Sequence, residues 1–311
     1  MDLSEKLYDW MPVRVYPDDG RYFVDWCWMG DARFIEPFFD LTIEKRMRLP
    51  FNLAFRHRTP VETLKEVDRG LDPTGFIFHM SRCGSTLVSQ MLAAVGSNIV
   101  ISEAPPVDNV IRSAAGRDKR IEMLRDLVGA YARPRNGERH FFIKFDSWST
   151  LDLDLVEEAF PNVPWVFLYR EPVEVIASHM IKRGSQMVPG AMQHLLPGLD
   201  LMNVLQMSAE EYCARVLGRF CDAAITRAES PGAMFVNYDR LPEALSAILK
   251  HFGVEFSVTD MERMNAAASF DAKTPGVTFT PDSERKRAGA TDEARRAAAL
   301  LEPLHQRLTM L

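Results

Sequence analysis

The sequence predicts an α/β protein: a single domain with a central, mainly parallel sheet flanked by helices, preceded by an N-terminal β-hairpin extension. Three observations carry this. Short apolar runs suited to buried strands recur at Phe76–Phe78, His140–Phe145, Trp165–Tyr169 and Ala233–Tyr238. Segments of helical periodicity follow or separate them, which is the βαβ pattern of a parallel sheet. The first run also breaks into a turn of small residues, Ser81-Arg82-Cys83-Gly84-Ser85-Thr86, before the helical spacing of Leu87, Val88, Met91 and Leu92.

Taken in order, Val13, Val15, Tyr22, Val24, Trp26 and Trp28 alternate around Pro17-Asp18-Asp19-Gly20, which predicts a hairpin. Three of the five tryptophans fall in the first 28 residues. The aromatics read as a packing lid on the main sheet, or as part of an acceptor pocket. A polar stretch reaches to about Pro60, and a helix is expected over Pro60–Arg69 with Gly70 as its stop. Residues 1–70 form the extension and 71–311 the main domain. After the loop helix come a strand at Asn98–Ser102 leading to Glu103, helical sequence over 107–132, and a strand at His140–Phe145 that contains Lys144. Further helices are expected at Leu151–Phe160, from Pro172 through Met180, at 208–228 with Ser208 and Glu211 as a capping box, at Leu241–Phe252, and at Thr291–Leu308. Gly184–Gln206 reads as a loop-rich insert with Pro189, Gly190, Pro197 and Gly198, and Phe270–Ala290 as a polar loop holding Lys273, Arg285, Lys286 and Arg287.

Composition narrows the function classes. The chain has 311 residues, 47% of them hydrophobic, enough for a substantial core. A net charge of −6 argues against nucleic acid as a main partner. The four cysteines have no metal-ligand spacing, and Cys213 and Cys221 read as buried thiols on one helix. No run of 18 apolar residues occurs and the acidic start Met1–Glu5 lacks a secretory core, so a cytoplasmic protein with no membrane partner is expected.

The chemistry is concentrated in the loop after the first buried strand. A strand that turns through glycine into a helix directs free N–H groups and the positive helix end at one spot, a ready anion site. Ser85 and Thr86 add hydroxyls and Arg82 a fixed charge. An ATP-binding loop would need Gly-Lys-Ser/Thr, but Ser85 stands between Gly84 and Thr86. A Cys-x5-Arg phosphatase loop is excluded because Ser89 stands six places after Cys83.

Ser81-Arg82-Cys83-Gly84-Ser85-Thr86-Leu87 resembles the 5′-phosphosulfate loop of sulfotransferases that use 3′-phosphoadenosine 5′-phosphosulfate (PAPS). Trp165–Tyr169 followed by Arg170-Glu171-Pro172, with Ser178 eight positions after Arg170, resembles the strand, Arg-x-Pro turn and serine of the same family. Phe235-Val236-Asn237-Tyr238 resembles its next strand end, although Asp239-Arg240 departs from the usual acidic pair. Phe279–Lys286 occupies the place of its C-terminal cofactor loop without that loop's usual text. The resemblance covers about Gly75–Leu308 and implies a P-loop NTPase-like sulfotransferase fold.

It also implies a set of roles. Arg82, Cys83, Gly84, Ser85 and Thr86 would bind the phosphosulfate. Arg170 and Ser178, with Lys182 a further contact, would grip the 3′-phosphate of PAPS and of its product PAP. Tyr238 would reach the adenine side, and Lys286 would add a contact from the last loop. Arg82 stands where the tyrosylprotein branch has arginine, and Lys144 would assist the loop N–H groups on the sulfuryl oxygens. Glu103, 21 positions after Arg82, is the candidate general base. A histidine is the alternative, with His79 and His140 less favoured because they fall within strands. The implied reaction is metal-free transfer of a sulfuryl group from PAPS to a hydroxyl or amine of a small-molecule or peptide acceptor. Two other readings stay open: an ATP-dependent P-loop kinase, and a non-catalytic nucleotide-binding protein of the same fold.

Overall fold

A computed structural model describes residues 6–67, 69–192, 200–274 and 276–311. Its centre is a five-stranded sheet in the order β5-β6-β4-β7-β8, made of β4 (Gly75–His79), β5 (Asn98–Ser102), β6 (His140–Lys144), β7 (Trp165–Tyr169) and β8 (Ala233–Asn237). All four neighbouring pairs are parallel. Every residue of β4, β5 and β7 is buried, so their apolar runs meet cover on both faces, as parallel strands require. Phe78 stacks on Phe145 at 4.6 Å, and Trp165 meets Phe235 edge-on at 5.8 Å, which fills the space between strands and covering helices.

The expected hairpin forms between β1 (Trp10–Asp18) and β2 (Arg21–Trp28), turning at Asp19 and Gly20, both with positive φ. A third strand, β3 (His57–Pro60), completes an antiparallel sheet in the order β1-β2-β3. Its buried side joins the same hydrophobic core as the main sheet. Tyr131 donates its hydroxyl to the Pro12 carbonyl at 3.0 Å, and Arg133 donates to the carbonyls of Leu7 and Trp10 at 2.8 and 2.5 Å.

Several expected boundaries move. Helices Phe39–Met47 and Pro50–Ala54 occupy the stretch read as polar loop, and buried Asn52 ties them to both backbone groups of Trp28. The helix expected over Pro60–Arg69 is only a 3₁₀ segment, Val61–Glu66, because pairing with β2 draws His57–Pro60 into a strand. Gly70 is no helix stop: a Cβ there would lie 2.0 Å from the Ala132 carbonyl oxygen, so the glycine allows two backbones to cross. The helical sequence over 107–132 divides into Pro105–Ile111 and Arg117–Tyr131, and the closing helix into Asp292–Ala299 and Glu302–Thr309, with Pro303 opening the second piece. The helix after Tyr238 begins only at Leu245 and ends at His251. Helices Val258–Ala267 and Ser283–Ala288 are additional. Ser208 caps helix Ala209–Thr226 by accepting from the Glu211 N–H at 3.1 Å, but the Glu211 carboxylate turns to Arg215 instead of closing the box. The insert contains a 3₁₀ turn at Ser185–Met187 and a helix at Leu201–Gln206; Pro197 and Gly198 lie outside the described residues. All four cysteines are free and buried. Among the described residues no helix is long and apolar enough to cross a membrane.

Candidate active site

The carboxyl ends of β4, β5, β6 and β7 open on one cavity of about 510 Å³. The wall below it is the loop from β4 to helix Ser85–Ala93. Ser81, Arg82 and Gly84 all take positive φ, at 84°, 53° and 84°. Only glycine fits the last position, since a Cβ there would meet Leu241 Cδ1 at 2.7 Å and Tyr238 Cδ2 at 2.8 Å. Left-handed backbone at Ser81 and Arg82 costs about 1–3 kcal/mol per residue and persists only where surroundings impose it. Here the Ser81 N–H donates to His79 Nδ1 at 3.1 Å and Arg82 Nη2 donates to the Lys182 carbonyl at 2.7 Å. The Cys83 thiol donates to the Leu168 carbonyl at 3.0 Å, and burial pushes its pKa up to about 12. Cys83 thus has its backbone N–H, not a thiolate, to offer an anion. The first N–H groups of the helix have no carbonyl within the helix to bind.

Beside this loop lies an ion pair with one buried member, Lys144, and one, Glu103, that reaches the cavity. Lys144, at the end of β6, is fully enclosed, with Nζ 2.8 Å from Glu103 Oε1, 3.2 Å from Thr86 Oγ1 and 4.9 Å from the Phe38 ring centre. Glu103, just past β5, is held in a left-handed conformation, φ 52°, by its N–H donating to the Lys144 carbonyl at 2.7 Å. Burial alone would raise the Glu103 pKa, but Lys144 and His79 outweigh it and hold the carboxyl well below the usual range. Lys144 itself stands behind the cavity wall, where Glu103 and Thr86 separate it from the open space.

Neither histidine weighed as an alternative base is placed for that role. His140 sits at the opposite, amino end of β6, against Phe256. His79 is close to Glu103 (3.5 Å), but its Nδ1 accepts from Ser81. That assigns the proton to Nε2, which faces the Phe145 carbonyl at 3.1 Å. Burial lowers the His79 pKa, so the ring is a neutral donor with no free lone pair.

Two further groups were not visible in the sequence. His179, buried on helix Pro172–Ile181, has Nε2 3.2 Å from Ser81 Oγ, and Gln186 Nε2 donates to the same oxygen at 3.3 Å. Burial and the charge of Arg82 bring the His179 pKa down to about 3. Its position next to Ser178 was the one available signal. Asp146 is the second. It precedes the 3₁₀ turn Ser147–Asp152 but makes no side-chain cap, and its buried carboxyl lines the cavity. Burial first, then the charges of Glu103 and Asp108, push its pKa well above the usual value.

The far side of the cavity is built around Arg170, at the end of β7. Its guanidinium lies 3.8 Å over the Tyr238 ring. Nε donates to Glu174 at 2.5 Å, and Nη2 donates to Asp282 at 3.1 Å and to Ser283 Oγ at 2.9 Å. Lys286 binds the other Asp282 oxygen at 2.8 Å. Of the residues singled out from the sequence, Arg82–Thr86, Glu103, Arg170, Ser178, Tyr238 and Lys286 therefore line one cavity, and Lys144 lies directly behind it.

No protein-family model and no curated protein matches the sequence. Among solved structures the chain is similar to the sulfotransferase domain of the Synechococcus PCC 7002 olefin synthase, at 15% identity over 75% of this chain and 96% of that one, with a TM-score of 0.45. It is similar to a Mycobacterium avium sulfotransferase at 15% identity, over 80% and 79% of the two chains, TM-score 0.45. A mouse sulfotransferase complexed with PAP is 12% identical over 79% of this chain and 93% of that one, TM-score 0.39.

Proposed function

We propose that the protein transfers a sulfuryl group from PAPS to a hydroxyl or amine of a small-molecule or peptide acceptor. The observation that carries this reading is that one cavity is lined by the Ser81–Thr86 loop, with its helix N-terminus, on one side and by the cations Arg170 and Lys286 with Ser178 on the other. A donor with phosphate groups at both ends suits such a pair. The fit of the loop is supported by Gly84, whose missing Cβ leaves the chain close against Tyr238 and Leu241 with its N–H groups open. Tyr238, already stacked on Arg170, offers a flat face for a purine.

When bound, the donor supplies a sulfuryl group whose S–O bond to the 5′-phosphate breaks as an S–O or S–N bond to the acceptor forms. The protein's part is positioning and charge stabilisation. Arg82 stabilises charge on the leaving phosphate oxygen, with the N–H groups of Gly84, Ser85 and Thr86 around the sulfuryl oxygens. Lys144 acts from behind the wall: it fixes the Thr86 hydroxyl and the Glu103 carboxylate and adds positive charge beneath the loop. Glu103 takes the acceptor proton. While Lys144 holds it, Glu103 is a weak base, so this role requires the ion pair to loosen in the bound state.

The test is a mass-shift screen: the protein with PAPS and a metabolite extract should give products heavier by one SO3, together with PAP. Hydrolysis of PAPS without any sulfated product would sink the reading, as would failure to bind PAP.

A further inference from the structure

Asp282 occupies a position its residue type does not explain. It precedes helix Ser283–Ala288, where aspartate ordinarily uses its carboxylate to cap the first N–H groups, yet it makes no side-chain cap. Its two oxygens reach into the cavity wall instead, one 3.1 Å from Arg170 Nη2 and the other 2.8 Å from Lys286 Nζ. Two cations bridged by one small planar anion is the arrangement a phosphate would make with the same pair.

The two carboxylates on Arg170 differ in how freely they can leave. Glu174 is one turn along the same helix as Ser178, its side chain is 0% exposed, and it also binds Arg287 at 2.5 Å. It is part of the framework. Asp282 comes from the C-terminal segment over 276–288, its side chain is 25% exposed, and it faces the cavity. Of the two, Asp282 is the exchangeable anion.

We infer that Asp282 is a built-in competitor for the second anion site: its carboxylate holds Arg170 and Lys286 until a phosphate dianion displaces it, which makes it a determinant of ligand selectivity. A phosphate dianion carries more charge than the carboxylate and can engage both cations, so the exchange runs in its favour. A ligand with only a hydroxyl at that end cannot drive it, and Asp282 stays in place. Selectivity between nucleotides with and without the second phosphate is thereby lowered by a fixed competition: the Asp282 carboxylate gives way as the phosphate enters, while Lys286, one turn along the same helix, stays to bind it. The inference takes the two-walled anion pocket from the proposed function, but concerns Asp282 alone.

The experiment measures binding of PAP and of 5′-AMP by calorimetry to the wild type, Asp282→Asn and Asp282→Glu, with melting curves of each free protein to establish folding. Removing the competitor should tighten PAP about tenfold, the scale of one charged hydrogen-bonding partner. Affinity for 5′-AMP should stay unchanged, and Asp282→Glu should keep the wild-type preference. Unchanged or weaker PAP binding in a folded Asp282→Asn protein would overturn the inference and make Asp282 a positioning group for Arg170. Equal tightening of PAP and 5′-AMP would overturn it too, as a general field effect. If the wild type and both variants fail to bind PAP, the sulfuryl-donor reading falls separately. Inorganic phosphate then decides: greater thermal protection of Asp282→Asn than of the wild type upholds the competition, and equal protection or none ends it.

Discussion

Two sides of the cavity, one around Glu103 with Lys144 behind it and one around Arg170, are built by different means. The Glu103–Lys144 side is made by neighbouring strand ends: Ser102 and Lys144 are partners in the β5–β6 ladder, and the Glu103 N–H continues that pairing. Its groups are satisfied by one another and held by the sheet. The Arg170 side joins one strand end to a segment more than a hundred residues later, as the contacts to Asp282 and Ser283 show. The difference teaches that a parallel sheet can fix charged side chains at adjacent strand ends without help. A site spanning the sheet and a distant loop is joined by contacts between its halves, here the Asp282 carboxylate and the Ser283 hydroxyl on Arg170. The first wall should therefore respond to substitution in stability and turnover, the second mainly in ligand binding.

The largest expected effect tests the sheet-built wall. Lys144→Met removes the enclosed member of the pair and leaves the partly exposed Glu103 without its nearest countercharge, which should cost up to about 3 kcal/mol of stability. Urea denaturation measures it; a loss under about 1 kcal/mol would mean the pair is no more than a surface-type contact.

Next is Glu103→Gln, which should retain PAP binding while lowering turnover about 10²-fold or more. The Glu103 carboxyl is held well below the ordinary range, so no acid limb from it should appear in that range while Lys144 stays paired with it. An acid limb that is present in the wild type and missing in Glu103→Gln would show that the pair opens in the bound state. Near-normal turnover in the variant would remove Glu103 from the chemistry altogether.

A smaller effect is expected on the other wall. PAP should bind more tightly than 5′-AMP by about 1.5–3 kcal/mol, the scale of a charged hydrogen bond, and Arg170→Ala should remove most of that difference. Equal affinities in the wild type would leave Arg170 as a structural arginine held by Glu174 and Asp282.

The smallest effect concerns Asp146. Its folded-state pKa is raised above the unfolded value, so the stability tied to its protonated form is full below the unfolded pKa and lost as pH rises through the folded one. Asp146→Asn should flatten that decline. Denaturant midpoints at about pH 5 and about pH 8 would show it as a smaller difference in the variant. Identical pH dependence in both proteins would mean that Asp146 ionises as freely folded as unfolded.

The sequence by itself determined the α/β class, the strands β4 to β8 and the loop residues that meet at their ends. Apolar runs five residues long and a glycine before Ser-Thr are local features, set by which side chains suit a buried strand and which backbone needs positive φ. The same locality made Arg170 and Ser178 legible, since both lie on one strand–turn–helix unit. Tertiary structure alone decided the rest. Whether His79 could act as a base depended on which N–H its Nδ1 meets, and that donor is fixed by the loop's fold. That Lys144 would stand behind the cavity and Asp146 line it could not be read from a strand end with alternating sides and no known neighbours. Gly70 looked like a helix stop because chain order carries no record of a crossing backbone. Asp282 reads in the sequence only as one more residue of a polar loop, because a carboxylate's partners are chosen by charges brought close in space, here from β7, and sequence separation conceals them.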